Sequence, residues 1–305
     1  MDRLLEWRLF VSAATLRSFV ATARALGRSP QSVTRAIADL ERRLGTRLLH
    51  RTTRSVSLTA DGARYLERGR RLLGEFDELE SPSDATELRG ILTVTAPVMF
   101  GQLHVLPIVT EFLARHPGVD VRLRLLDRVV SLAEEGIDVA VRIGALPDSA
   151  LRARLVGSVQ SVTCASPGYL ARAGRPRTPA QLAHHDCIAF AATTPIDDRW
   201  SFPSNGGRER RVLVRARLTV NTAQAAIDAA LAGLGVVRLL SYQVDPLVTD
   251  GRLVVLLRAH QGAPSPVHLV TLPGVALRAA TQFTDFAATG LAQKLRQIKT
   301  GRAPS

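Results

Sequence analysis

Residues 28–35, RSPQSVTR, crowd hydrogen-bonding chemistry into about two helical turns. Gln31 carries an amide that donates and accepts side by side, as the N6/N7 edge of adenine requires. Arg35, four residues on, carries a forked donor suited to O6/N7 of guanine or to a phosphate. Ser32 and Thr34 add hydroxyls that can meet a base or a backbone. Ser29 can cap a helix whose first position, Pro30, has no N–H to lose there. Along that helix Val33, Ile37, Leu40 and Leu44 recur at spacings of four, three and four, an inner stripe. The outer stripe is then Gln31, Arg35, Ala38 and Arg42. Such a face is either solvated or set against a polyanion.

Other chemistry is harder to find. HHDC at 184–187 concentrates ligand types. Adjacent residues cannot all face one ion, however, and no second ligand group stands at a zinc-finger spacing. Cys164 lies in an apolar run, where a thiol is inert unless exposed and ionised. Gly233 and Gly235 begin a dinucleotide-like pattern that lacks its third glycine. No GxSxG, Walker A or HExxH run occurs. Asp127, Glu134 and Glu135 read as surface or helix-end charges, and Trp200 is either core or cleft. No catalytic residue, metal or cofactor is expected.

The elements around RSPQSVTR suggest how it is held. Residues 4–16 form an amphipathic helix, Ser18 caps a second short one ending at Gly27, and Gly45 closes the third. Two β-prone runs, 47–49 and 56–58, flank a tip of Arg51, Thr52, Thr53 and Arg54. Helix, helix, turn, helix and two-stranded wing outline a winged helix-turn-helix. Thr59 can cap a long helix that Pro82 stops. In it Tyr65, Leu72 and Leu79 stand seven apart, with Gly69 and Phe76 between them. This coiled-coil period suits a second copy of the helix or another helix of the same chain. Residues 81–90 are polar and turn-rich, a linker. From Ile91 strands and helices alternate, which implies a parallel sheet with helices on its faces. The helical stretch from Phe100 to Gly118 contains an internal Pro107, and Cys187–Phe190, Arg215–Val220, 236–240 and 252–257 read as strands of a second lobe.

Charge separates the chain into parts. The whole carries +13, and all but two of its 40 basic residues are arginine. Residues 1–70 hold 14 Arg against 6 acids, while 71–89 hold 2 against 6. A compact basic N-terminal unit points to a polyanion partner. A non-specific nucleoid-type binder would spread its basic residues throughout. With 46% hydrophobic residues the 305-residue chain can bury large cores. Its start, MDRLLEWRLF, lacks a signal-peptide layout, no apolar stretch is long and unbroken enough to span a membrane, and two cysteines build no disulfide framework. A reducing cytoplasm is the expected location.

The run FVSAATLRSFVATARALGRSPQSVTRAIADLERRLGTRLLHRTTRSVSLTADGARYL (Phe10–Leu66) resembles the DNA-binding domain of LysR-type transcriptional regulators. The match lies in Ser18-Phe19, Leu26, SxxxVTRAI, LExxLG, RLLHRTTR and LTxxG. It continues through TAPVMFG (95–101), EEGIDVAVRIG (134–144), CASPGYL (164–170) and AGLGVV (232–237). It departs at one place. The family has Ser-Gln-Pro where this chain has Ser29-Pro30-Gln31, so Gln31 is displaced by one position, about 100° around the helix.

The resemblance implies an N-terminal winged helix-turn-helix with a long linker helix, then an α/β two-lobed effector domain like periplasmic binding proteins. The expected boundaries are 1–61 for DNA binding and 62–89 for the dimerisation helix and hinge. Residues 90–160 with 266–295 form one lobe, and 161–265 the other. DNA contacts fall to Ser18, Arg28, Ser29, Pro30, Gln31, Ser32, Thr34, Arg35 and the wing residues Arg51, Thr52, Thr53 and Arg54. Open helix N-termini would bind phosphates. Tyr65, Leu72, Phe76 and Leu79 would join a homodimer, usually assembled into a tetramer, on an inverted-repeat operator in double-stranded DNA, with RNA polymerase as a further partner. A small-molecule effector, anionic by the charges offered, would sit between the lobes beyond the strand ends. Its candidate contacts are Thr95, Pro97, Met99, Phe100, Arg142 and Gly144, with Asn221, Thr222 and Arg238 across the cleft. The competing reading is an α/β solute-binding protein or enzyme that reads no DNA.

Overall fold

The computed structural model describes residues 2–51, 56–80, 88–146, 151–190, 199–203, 209–273 and 277–298, with the backbone alone at 51, 71, 75 and 77–80. The N-terminal unit runs α1 (Arg3–Leu16), α2 (Phe19–Ala25), α3 (Pro30–Leu44), β1 (Leu49–Arg51), β2 (Val56–Leu58) and α4 (Ala60–Glu80). Asp2, Ser18 and Ser29 cap the first three helices, and Gly45 closes α3 with a left-handed φ of 68°. Val33, Ile37 and Leu40 meet Leu9, Phe10 and Ala13 of α1 in one core.

The first wing strand begins at Leu49 rather than at 47. The backbone just before it serves other contacts. The Glu41 carboxylate accepts from the amides of Leu48 (2.9 Å) and Leu49 (3.1 Å), and the Leu48 carbonyl accepts from the Thr59 amide at 3.0 Å. Thr59 then caps α4, its hydroxyl accepting from Gly62 N at 2.8 Å. A Cβ at Gly62 would lie 1.8 Å from the Leu48 carbonyl oxygen, so the wing and α4 can join only through a glycine.

Helix α4 lies along α1. A Cβ at Gly69 would stand 2.8 Å from the Trp7 ring, whose centroid is 6.1 Å from that of Tyr65. The Arg8 guanidinium covers Phe76 at 5.8 Å. Tyr65, Gly69 and Phe76 of the coiled-coil stripe thus pack within the chain, because α1 offers an apolar partner at the same period. Leu72 stays 43% exposed, and the Leu79 side chain lies outside the described residues.

The remainder forms two lobes. The first holds β3 (Gly90–Ala96), α5 (Val98–Phe100), α6 (Leu106–Arg115), β4 (Val119–Leu125), α7 (Leu132–Glu135), β5 (Val139–Ile143) and β6 (Arg152–Val159). The second holds β7 (Ser161–Ala165), α8 (Pro167–Ala173), β8 (Asp186–Phe190), the hairpin β9 (Arg199–Pro203) with β10 (Glu209–Leu213), β11 (Arg215–Val220), α9 (Ala223–Leu231), β12 (Val236–Leu240), α10 (Ser241–Thr249) and β13 (Val254–Leu256). The chain returns to the first lobe as β14 (Ser265–Thr271) and α11 (Arg278–Gln297).

The sheet orders are β4-β3-β5-β14-β6 and β11-β8-β12-β7-β13. Neither is wholly parallel as the alternation implied. One strand in each is reversed, β14 and β7. Each is the strand by which the chain enters that sheet directly from the other lobe, with no helical crossover to restore its direction. Pro107 is internal to a continuous helical stretch, 98–115, made of α5, a π turn and α6. A π turn at Gly101–Val105 widens the backbone just ahead of it and accommodates the missing amide. Gln160 ties both crossings together. Its amide donates to Ser241 Oγ (3.1 Å), its carbonyl accepts from Ser241 N (2.7 Å), and its side chain donates to Gly262 O (2.7 Å). Among the described residues no helix is long and apolar enough to cross a membrane.

Candidate nucleic-acid interface and effector cleft

Helix α3 divides its residues cleanly. Val33, Ile37 and Leu40 are 0% exposed, whereas Gln31, Thr34, Arg35 and Arg42 are exposed and Ser32 and Ala38 half-buried. Ser29 Oγ accepts from Ser32 N (3.2 Å), Ser32 Oγ donates to Ser29 O (2.8 Å), and Thr34 Oγ1 donates to Pro30 O (3.0 Å). Both α3 hydroxyls spend their protons on their own helix and keep only lone pairs to offer. Gln31 and Arg35 make no side-chain hydrogen bond among the described residues, so their donors face outward uncommitted. Arg42 is drawn to Asp39 at 2.8 Å. Arg28, Ser29 and Pro30 are exposed beside this face, and Ser18 is half-buried.

The starts of α2 and α3 are not left open. Ser18 Oγ takes the Ala21 amide at 3.1 Å, as Ser29 takes that of Ser32. A phosphate there would meet fewer bare amides than the sequence implied. In the wing, Arg51 pairs with Val56 through the backbone, and Thr52, Thr53 and Arg54 lie outside the described residues.

Two carboxylates that sequence reasoning passed over hold this face in place. Glu6, 4% exposed, forms an ion pair with Arg43 and fastens α3 to α1. Glu41 fastens α3 to the wing. Glu41 stood in the LExxLG run, and Glu6 was the lone acid amid the apolar residues of α1.

In the lobes, Thr95, Pro97 and Arg142 come together around a cavity of about 100 Å³ that Asp127 and Val130 also line. Thr95 is buried and donates to Arg124 O at 2.8 Å. Asp127 Oδ1 accepts from Val98 N at 3.0 Å, so this acid is a helix cap facing the cavity rather than a surface charge. The Arg142 guanidinium donates to the Val130 carbonyl, a neutral acceptor, and burial pushes its pKa below the usual arginine range. Gly144 follows β5 and donates to Pro266 O at 2.9 Å.

Two apolar candidates turn away from this cavity. Phe100 is fully buried, its ring 5.1 Å from Tyr242 of α10 in an edge contact. Met99 packs against the cores of both lobes. In the second lobe Asn221 and Thr222 are exposed, and Thr222 caps α9 by accepting from Ala225 N at 3.3 Å. Arg238 is anchored within its own lobe. It donates to Ser161 Oγ (3.0 Å) and Ser201 O (2.6 Å) and lies 4.6 Å over the Phe202 ring. Burial lowers its pKa, and Glu209 draws it partly back.

The HHDC run disperses as its spacing implied. His185 meets the Tyr169 hydroxyl at 3.0 Å, Asp186 meets Arg217 at 3.0 Å, and the Cys187 thiol points to backbone carbonyls. No group of three or more potential ligands is placed to hold a metal among the described residues. Both cysteines are buried, and burial pushes each thiol up to about 12, away from thiolate chemistry at neutral pH. Trp200 packs in a core with Tyr169, Leu182 and Phe202.

Comparison with known proteins agrees with this geometry. Residues 4–63 match the model of the bacterial regulatory helix-turn-helix protein, lysR family, and residues 85–292 match the LysR substrate binding domain. The HTH-type transcriptional regulator YhjC of Escherichia coli (strain K12) is 34% identical over 272 residues, spanning 88% of this chain and 91% of its own. An HTH-type transcriptional repressor of Pseudomonas aeruginosa (strain UCBPP-PA14) is 34% identical over 275 residues, 88% and 86% of the two chains. CrgA of Neisseria meningitidis, a LysR-type regulator of solved structure, superposes with a TM-score of 0.58 at 28% identity over 95% and 98% of the chains. The buried stripe and open face of α3, the wing behind it and the two crossed lobes are therefore parts of one architecture, and the chain belongs to the LysR family of DNA-binding transcriptional regulators.

Proposed function

We propose that the outer face of α3 enters the major groove of an operator, with Gln31 on adenine and Arg35 on guanine. Ser32 and Thr34 lie against bases or backbone, and with their protons spent on the helix their lone pairs suit base amino groups. Ser18, Arg28, Ser29, Pro30 and the wing residues Arg51, Thr52, Thr53 and Arg54 lie along the phosphates, which position the domain without selecting sequence. The observation that carries this reading is the uncommitted, exposed pair Gln31 and Arg35 directly opposite a fully buried stripe.

One such domain reads too few bases to find a site in a genome. A homodimer through α4, with Leu72 as the exposed apolar contact, would place two recognition helices on successive grooves of an inverted repeat. Tetramers, contact with RNA polymerase and a cytoplasmic setting complete the proposal. A small-molecule effector between the lobes would switch the assembly by binding one lobe arrangement better than another. An anionic group is favoured on the Arg142 side, because that guanidinium is bound to a carbonyl and not to a carboxylate. Asp127 already fills the Val98 amide, so the anion would not go there. Asn221, Thr222 and Arg238 would approach from the second lobe.

The test begins with footprinting on genomic DNA to find the operator. Arg35→Ala should then weaken specific binding by about 1–3 kcal/mol and relax preference at one base pair. Equal weakening on every sequence would make Arg35 a phosphate contact and remove its reading role.

A further inference from the structure

A cavity of about 230 Å³ lies where α1 and α4 meet the first lobe, and it shares no lining residue with the Arg142 cavity. Its apolar walls include Val11 of α1, Ile91 of β3 and Leu277 ahead of α11. Three arginines, Arg70, Arg89 and Arg122, line it against two carboxylates, Glu67 and Asp138. Asp138 is turned to the Thr93 amide at 2.8 Å. Glu67 bridges two guanidiniums, Arg70 on its own helix at 3.5 Å and Arg122 of β4 across the junction. Burial, and then the charge of Arg122, lower the Arg70 pKa, while Glu67 opposes them. The lining carries three formal positive charges against two negative ones.

We propose that this junction is a second ligand site, taking a small monocarboxylate with a compact apolar body. Its carboxylate would bridge Arg70 and Arg122 in place of Glu67, and its body would lie against Val11, Ile91 and Leu277. Enclosed apolar walls with a few convergent charged groups are what small-molecule sites have in common. The position gives the site a consequence. A ligand held at once by the α1–α4 unit and by β3 and β4 favours one angle between the DNA-reading half and the first lobe over others.

Calorimetric titration of the full chain tests this, with cyclohexanecarboxylate as probe and two controls. Cyclohexylammonium has the same shape and the opposite charge, and inorganic phosphate has charge without an apolar body. Saturable binding of the carboxylate alone is expected. Arg122→Gln should weaken it about tenfold or more, the range of a lost charge-assisted hydrogen bond. Glu67→Gln should tighten it, because the competing carboxylate is gone, and a misfolded variant cannot imitate that gain. Arg142→Gln, in the first-lobe cavity proposed for the effector, should leave it unchanged, which separates failure here from failure of that reading. Absence of binding, equal binding of both cyclohexyl probes, or affinity indifferent to both Arg122→Gln and Glu67→Gln would overturn the proposal.

Discussion

Phe100→Ala should destabilise the effector half by about 3–5 kcal/mol, the cost of emptying a phenyl site in a packed core. The ring has no exposed surface and touches His104 and Tyr242, with centroids 4.9 and 5.1 Å away. Tyr242 belongs to α10, which follows β12 of the second lobe, so the lost contact is also one between lobes. That is a large fraction of the stability of an ordinary domain. Urea unfolding followed by the near-ultraviolet signal of the lobes would show an earlier midpoint. An unchanged midpoint with an altered ligand response would return Phe100 to the cleft.

Gly62→Ala should act on the other half, costing about 3 kcal/mol and most of the DNA affinity. The added methyl would fall 1.8 Å from the Leu48 carbonyl oxygen, and that atom is backbone held by Thr59 and by the wing. No side chain can swing aside, so the wing must separate from α4, at the upper end of what overpacking costs. Differential calorimetry of the variant should show the N-terminal unit melting early while the lobes melt as before. An unshifted N-terminal transition would show that the junction tolerates a side chain.

These two sites illustrate what the sequence can disclose. The 3.6-residue period of Val33, Ile37 and Leu40 and the Ser29-Pro30 start specify α3 and its inner face, and its outer face follows by subtraction. Gly62 was visible as part of LTxxG, but its reason is a close approach between segments that only folding brings together. Its position just past a strand end points Phe100 to the cleft. An apolar residue there reads the same whether it lines a cleft or turns inward, and here α5 starts at once and carries it into the core. The seven-residue spacing of Tyr65, Leu72 and Leu79 has the same ambiguity, since α1 and a second copy of α4 satisfy one period equally well. The reversed strands β7 and β14 were not legible, because strand direction depends on where the chain crosses between lobes. The short, arginine-rich β9–β10 hairpin offered too little alternation to announce itself.

The most direct measurement of the central claim uses the chemistry of the cysteines. Cys164 and Cys187 are buried, with thiols pushed up to about 12, so a cysteine at Ala38, in the middle of the outer α3 stripe, can be labelled selectively with a DNA-cleaving iron chelate. On the footprinted operator, the labelled protein should cut within the major groove at two half-sites about one helical turn, or a multiple of one, apart. Cuts scattered without regard to sequence, or an intact duplex beneath a bound protein, would contradict the placement of α3 against DNA.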